Sequence, residues 1–373
     1  MVHPPIPVYT PTLAPSATRN VRAAVESGWI SSEGEFIDQF EQAWAEKCNV
    51  RFGVATNSGT SALEIAMAAL ELPEGSEVIL PSYTIISCAS AILNAGCSIR
   101  LVDVDPETWC LNVDEVADNI TSKTRAIMPV HMFGHPAEMG EIMKLAKTYD
   151  LKVIEDAAEA HGAVIDGEVV GGIGDIGCFS FYANKIITTG EGGMAVTDDE
   201  ALAERLKSYR NLCFNSERRF QHHRMGHSYR MTNMQAAIGV SQVEHMDQTI
   251  AAKRKLAGQY RAKLKDVPEI TLPVEKENVT NVYWMYGVVL NEGAPFEAEV
   301  LADRLRAMGI DTRPFFVGMH EQPVLKERGL FTGEKYPVTE NLARRGLYLP
   351  SGTNLSADQI DQICDDVKKA IEP

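Results

Sequence analysis

Between residues 52 and 200, short apolar runs of strand length alternate with stretches whose apolar residues recur at helical spacing, and no other feature restricts the chain as tightly. FGVAT at 52–56 has the pattern of a buried strand. In the following TSALEIAMAALEL, residues Ala62, Ile65, Ala66, Ala69 and Leu70 fall on one helical face. SEVILP, SIRLVDV, RAIMPVH and LKVIED read as further strands, with EMGEIMKLAKTY helical before the last of them. Strands joined through helices return parallel to one another, so the expectation is an α/β fold with a mostly parallel sheet covered on both faces. GAVIDGEVVGG predicts a hairpin around Asp166 and Gly167, and GCFSFY and GGMAVT predict two more strands. A long helical stretch, QAAIGVSQVEHMDQTIAAKRKLAGQYRAKL, then leads the chain away. We therefore expect a large domain over 1–245 and a small C-terminal α+β domain over 246–373, the latter containing the strand VYWMYGVVL.

The charge balance narrows the function classes. Thirty-five Lys and Arg against 51 Asp and Glu give a net charge of −16, the wrong sign for wrapping nucleic acid or lying on anionic lipid. The seven cysteines are scattered and never spaced as CxxC, which argues against a zinc site or a disulfide framework and for a reducing compartment. The N-terminal MVHPPIPVYTPTL lacks a basic start and an apolar core, and no run approaches the roughly 20 apolar residues of a membrane span. A cytoplasmic protein with no metal, no nucleic acid and no membrane partner is expected.

Three segments carry candidate chemistry. Asn57, Ser58, Gly59, Thr60 and Ser61 join a strand to a helix, where free backbone N–H groups and hydroxyls suit an anion such as phosphate; an ordinary N-cap is the competing reading. LKVIEDAAEAHG places Glu155, Asp156 and Glu159 at the carboxyl edge of the sheet, where open α/β folds keep their ligands; Asp156 could hold a proton on a ring nitrogen or merely cap a helix. FSFYANKIITTGEGGM sets Ser180 and Lys185 after another strand, where a lysine of depressed pKa could form a Schiff base, unless it is a plain surface lysine. Gly172, Gly174 and Gly177 match GxGxxG, but a dinucleotide fingerprint must open a helix and these residues lead into a strand, so they read as a turn. The segment from Arg205 to Arg230 is locally basic in an acidic chain, fit for a diphosphate, a solvated face or a subunit interface.

These segments, with GWISSEGEFIDQFE, NSGTSAL, ILPSYT, EDAAEAHGA, GDIGCFSFYANKIITTGEGGM, YRMTNMQAAIG and TRPFFVGMHEQP, make the chain resemble the DegT/DnrJ/EryC1/StrS family of sugar aminotransferases over nearly its whole length. The resemblance implies a fold-type I, aspartate aminotransferase-like pyridoxal 5′-phosphate enzyme, a large domain with a mixed, mostly parallel sheet and a small C-terminal α+β domain. It implies Lys185 as the catalytic, cofactor-bonding lysine, Asp156 as partner of the ring nitrogen, and Gly59, Thr60, Ser61 and Ser180 as the phosphate cradle. Glu159, Ile85 and Ser228 would also touch the cofactor, although relatives often carry glutamine, an aromatic residue and asparagine there; Tyr83 is the alternative cover for the ring. Trp29, His227, Arg230, Arg313 and His320 would contact substrate. Histidine in place of the lysine marks sugar 3-dehydratases, so Lys185 favours transamination. NLCFNSERRFQHHRMGHSYRMTN, TRPFFVGMHEQP and YLPSGTNLS are most similar to the branch that aminates C4 of GDP-4-keto-6-deoxymannose with L-glutamate; a TDP- or UDP-linked keto sugar, or a non-catalytic regulator, are the alternatives. A homodimer with shared active sites is implied.

Overall fold

The computed structural model describes residues 5–215 and 217–372. Its large sheet is built from β1 (Phe52–Thr56), β2 (Glu77–Pro81), β3 (Ser98–Val102), β4 (Thr124–Ile127) and β5 (Lys152–Asp156). A small hairpin, β6 (Val164–Ile165) and β7 (Glu168–Val169), precedes its last two strands, β8 (Ile176–Ser180) and β9 (Gly193–Thr197). The spatial order is β1-β9-β8-β5-β4-β2-β3, with β3, β2, β4, β5 and β8 mutually parallel and β9 antiparallel to both β8 and β1. The sheet is mixed because a parallel return needs a crossover long enough to cross a face. Residues 181–192 contain no helix, so β9 turns straight back, and that loop carries Lys185.

The later strands are β10 (Ile270–Thr271), β11 (Val279–Thr280), β12 (Tyr286–Leu290), β13 (Arg313–Pro314) and β14 (Gly346–Leu349). A second, four-stranded sheet has the order β10-β12-β14-β13, while β11 extends the hairpin through β6. The hairpin turns at Asp166 and Gly167, both at positive φ as a two-residue connection of this hand requires. The expected continuous helix after residue 235 is two helices, Asn233–Glu244 and Met246–Leu264, broken at His245 where ψ opens to 6°. Around the second sheet lies a separate apolar cluster that includes Leu256, Tyr260, Tyr286, Leu301 and Ile363. Ile6 belongs to it too, and its backbone bonds to Gly309 and Asp311, so an N-terminal arm crosses to the C-terminal half.

The glycine motif 172–177 shows why it is not a dinucleotide loop. Glu155, fully buried on β5, accepts hydrogen bonds from the backbone N–H groups of Gly171 (2.7 Å), Ile173 (2.8 Å) and Gly174 (2.6 Å). His131 Nδ1 accepts the Ala137 N–H, so its Nε2 carries the proton and donates it to Glu155 at 3.1 Å. The turn does wrap an anion, but that anion is the chain's own carboxylate. Gly177 has to lack a side chain, since a Cβ there would lie 1.9 Å from the Gly171 carbonyl oxygen. Among the described residues no helix is long and apolar enough to cross a membrane, and no cluster of three metal-ligating side chains occurs.

Candidate active site

The carboxyl ends of β5 and β8, the loop after β8 and the helix Gly59–Leu70 converge on a cavity of about 340 Å³. Gly59, Thr60, Ile85, Asp156, Glu159, Ser180 and Lys185, all singled out in the sequence, line it. Thr84, Met132, Asn184, Trp284, Phe316 and Tyr348 are also among its lining residues.

The helix beginning at Gly59 packs small residues (Ala62, Ala66, Ala69) on the sheet, which brings its N-terminus against the end of β8. A Cβ on Gly59 would lie 2.7 Å from Ser180 Cβ, so only glycine permits this approach. Ser58 caps the helix by accepting the Ser61 N–H at 3.1 Å, and Thr60 Oγ1 meets Ser87 Oγ at 2.8 Å on the exposed side. Ser61 is buried, its hydroxyl bonds to Asn57 Oδ1 at 2.6 Å, and unlike Gly59, Thr60 and Ser180 it does not line the cavity. His161 Nε2 lies 2.8 Å from the Ser180 carbonyl and steadies that strand end, with burial pulling the imidazole down to about 3, so it stays neutral.

Asp156 is almost wholly buried, yet among the described residues it pairs with no cationic side chain. Its Oδ1 accepts the Ala158 N–H at 3.0 Å and its Oδ2 the Cys88 thiol at 3.0 Å. Both oxygens are thereby oriented while each keeps acceptor capacity. Lys185 Nζ lies 3.7 Å from Glu159 Oε1 and 3.7 Å from the centroid of the Trp284 ring. Burial lowers the Lys185 pKa, with Glu159 and then Asp156 opposing it; burial pushes the Glu159 carboxyl up to about 7, against the pull of Lys185. A lysine in this setting reaches its neutral, nucleophilic form more readily than one in water. Ile85 faces the cavity, whereas Tyr83 is buried away from it in an aromatic cluster with Phe315 and Phe316, so of the two only Ile85 lines the cavity.

The remaining candidates lie elsewhere. Arg313 faces an outer pocket of about 290 Å³ that shares Tyr182, Asn184 and Tyr348 with the central one, and pairs with Asp311 at 2.8 Å. Trp29, 56% exposed, lines a separate cleft with Phe36 and Asn233. His320 is buried beside Tyr336 and Glu340 and does not line the central cavity. His227 stacks on Tyr229 with centroids 4.5 Å apart, and Arg230 bonds to Asn211 and Ser228, so the 227–230 segment lies along β1, outside the cavity. Much of the basic segment is spent within the chain, Lys207 on Glu204, Arg210 on Glu41 and Arg224 on Glu71. Trp284, Asn184 and Cys88 carried no signal that sequence reasoning could use; Trp284 joins the site from the bend leading into β12, 99 positions beyond Lys185.

Residues 11–368 match the family described as DegT/DnrJ/EryC1/StrS aminotransferases. The chain is 40% identical over 364 residues to a GDP-perosamine synthase of Escherichia coli O157:H7, covering 98% of each protein. It is 39% identical to a GDP-perosamine synthase of Caulobacter vibrioides, covering 96% of each. The crystal structure of DesV from S. venezuelae superposes with a TM-score of 0.88 at 32% identity, over 96% of this chain and 95% of that one.

Proposed function

We propose, for a chain that belongs to the DegT/DnrJ/EryC1/StrS aminotransferase family, that it moves the amino group of L-glutamate to C4 of GDP-4-keto-6-deoxymannose and yields GDP-perosamine. The enzyme is a pyridoxal-phosphate-dependent aminotransferase of the nucleotide-sugar class. The finer choice of GDP carrier and C4 rests on the two relatives at 40% and 39% identity. The observation that carries the reading is the convergence of Lys185, the unpaired buried Asp156 and the Gly59–Ser180 approach on one cavity.

The residues present fit the cofactor. Its phosphate suits the N-terminus of the helix at Gly59, with the Thr60 and Ser180 hydroxyls as further donors. Asp156, lacking a cation of its own, suits a protonated ring nitrogen, and Glu159 the ring hydroxyl. When bound, pyridoxal phosphate supplies the electron sink that lets an amino group pass between donor and acceptor carbons. With the cofactor bound, Lys185 would be the residue that bonds it, and its Nζ, once free, would be placed to carry a proton between the two carbon positions. Asp156 would hold the ring proton, and Ile85, Met132 and Phe316 would help to keep water from the cavity.

Two further elements belong to this reading. The reading includes a homodimer in which the 227–230 segment reaches the partner's site; four large apolar side chains near the chain's start, Leu13, Val25, Trp29 and Ile30, are exposed and could be covered in it. The seven cysteines are all buried free thiols, which supports a cytosolic setting. A panel of GDP-, TDP- and UDP-linked keto sugars, assayed for glutamate-dependent amination, tests the substrate. Turnover of a TDP- or UDP-linked sugar in preference to the GDP-linked one would refute the carrier.

A further inference from the structure

Trp284 lies in the bend just before β12 of the second sheet, yet its indole lines the central cavity beside Lys185. Three anchors set that ring. Its Nε1 donates to the Asn184 carbonyl at 2.7 Å, so the residue before Lys185 is tied to it. Its own carbonyl accepts from Lys253 Nζ at 2.6 Å, and Lys253, wholly buried, also donates to the Ser351 carbonyl at 2.6 Å. Its ring stacks on Phe133 at an interplanar angle of 24°. Rotating the indole away would break the bond to Asn184 and open the packing.

We infer that the face of Trp284 is the resting place of the free Lys185 ammonium, and that its π electrons set the proton affinity of that amine. The inference rests on the reading of Lys185 as the cofactor-bonding lysine, which has to stand free during part of each cycle. The geometry is that of a cation over the electron-rich face of the best aromatic acceptor, at 3.7 Å and out of water. The other groups facing the amine are the carboxyls of Glu159 and Asp156, His161 on the same segment, and the phenol of Tyr348 from β14. His161 is neutral, and burial holds the Tyr348 phenol up at about 12, so neither competes for charge. Glu159 sits 3.7 Å away with its carboxyl pushed up to about 7 by burial, whereas the indole, at the same distance, carries no group that titrates. A desolvated contact of this kind raises an amine's pKa by about one unit or a little more.

The test reads the amine directly. Full-length protein, both free of cofactor and loaded with pyridoxamine 5′-phosphate, is trace-acetylated with acetic anhydride across pH, and modification of Lys185 is followed by mass spectrometry. Placing mono-, di- and tetrafluorotryptophan at position 284 drains the ring's electron density while keeping its shape. The Lys185 midpoint should fall step by step, by about one pH unit over the series. Trp284→Phe should fall between wild type and Trp284→Leu, with thermal melts confirming that each is folded. A midpoint that stays constant along the fluorine series, or rises, overturns the inference. Borohydride reduction of protein loaded instead with pyridoxal 5′-phosphate checks the underlying assignment separately: label on another lysine removes the cofactor role of Lys185 without touching the titration result.

Discussion

Adding one methyl group at Gly59 tests whether the approach of helix and strand is what makes the phosphate cradle. The φ of Gly59 is one any residue adopts, so Gly59→Ala acts through space alone. The new Cβ meets Ser180 Cβ at 2.7 Å and Ser180 Cα at 3.2 Å, and neither atom is the loose end of a flexible side chain. Reaching an ordinary carbon contact of about 3.5–4.0 Å forces the helix N-terminus and the end of β8 apart by about 1 Å. Overpacking costs about 1–3 kcal/mol, offset by up to about 1 kcal/mol of helix propensity, so the fold should lose about 0–3 kcal/mol. Cofactor binding should lose more than that ratio suggests, because backbone N–H groups on one side and the Ser180 hydroxyl on the other no longer reach the same anion. One charge-assisted hydrogen bond is worth about 1.5–3 kcal/mol, which raises the cofactor Kd by at least about tenfold. Kd would be measured by absorbance titration with pyridoxal phosphate, and fold stability by melting the cofactor-free protein. Gly258→Ala is the control, since a Cβ at that helical position meets nothing within 4 Å; it should leave Kd alone and add up to about 1 kcal/mol of stability. A Gly59→Ala Kd within twofold of wild type would show that the close approach does not build the phosphate site.

Asp156→Asn should bind cofactor within about tenfold of wild type yet lose at least about 100-fold in kcat, because the carboxylate charge on the ring nitrogen is gone; near-wild-type turnover at saturating cofactor places that partner elsewhere. Burial pulls the Lys253 ammonium from 10.5 down to about 7, so the unfolded chain binds the extra proton between those values and this residue's contribution to stability rises with pH across that window. The stability difference between wild type and Lys253→Met should therefore grow in favour of wild type from pH 7 to 10 and be flat below pH 6; a pH-independent difference contradicts the burial argument. Glu155→Gln turns an amide toward backbone donors and should cost about 2–4 kcal/mol in denaturant unfolding, with a loss under 0.5 kcal/mol refuting the role of that carboxylate. Mixing inactive Lys185→Ala protein with protein disabled in the 227–230 segment should restore about a quarter of wild-type activity on random exchange, and verified heterodimers that recover nothing would rule out shared sites.

What could be read in advance follows from which interactions are local. The alternation of strand and helix periods is local, and it yields the parallel part of the sheet. The position of Asp156 at the cavity was legible because strand ends in such a sheet face the ligand, whereas Lys185, in the loop beyond β8, read equally as a surface lysine until the family resemblance singled it out. The direction of β9 was not legible, since GGMAVT looks the same in either sense and only the helix-free loop before it decides. Trp284 was invisible because its position depends on how the second sheet packs against the first. The break at His245 was hidden for a related reason: apolar spacing runs on through both helices, and tertiary packing chooses where they part. Substrate contacts at Trp29, Arg313 and His320 came from resemblance alone, and the chain places them in three different surroundings.

Glu155 and Asp156 are neighbours on one strand, so their side chains leave opposite faces of the sheet. One is gripped by three backbone N–H groups and a histidine; the other opens into the cavity. Slippage of β5 by a single residue one way would offer the cavity Glu155, a carboxylate one methylene longer, and give the grip Ile154, which accepts nothing; slippage the other way would put the shorter Asp156 in the grip and Ala157 at the cavity. The pair therefore works as a key cut for one lock: the strand can be seated only where the cavity carboxylate has the intended reach, and the check is made on the far side of the sheet, away from the cavity.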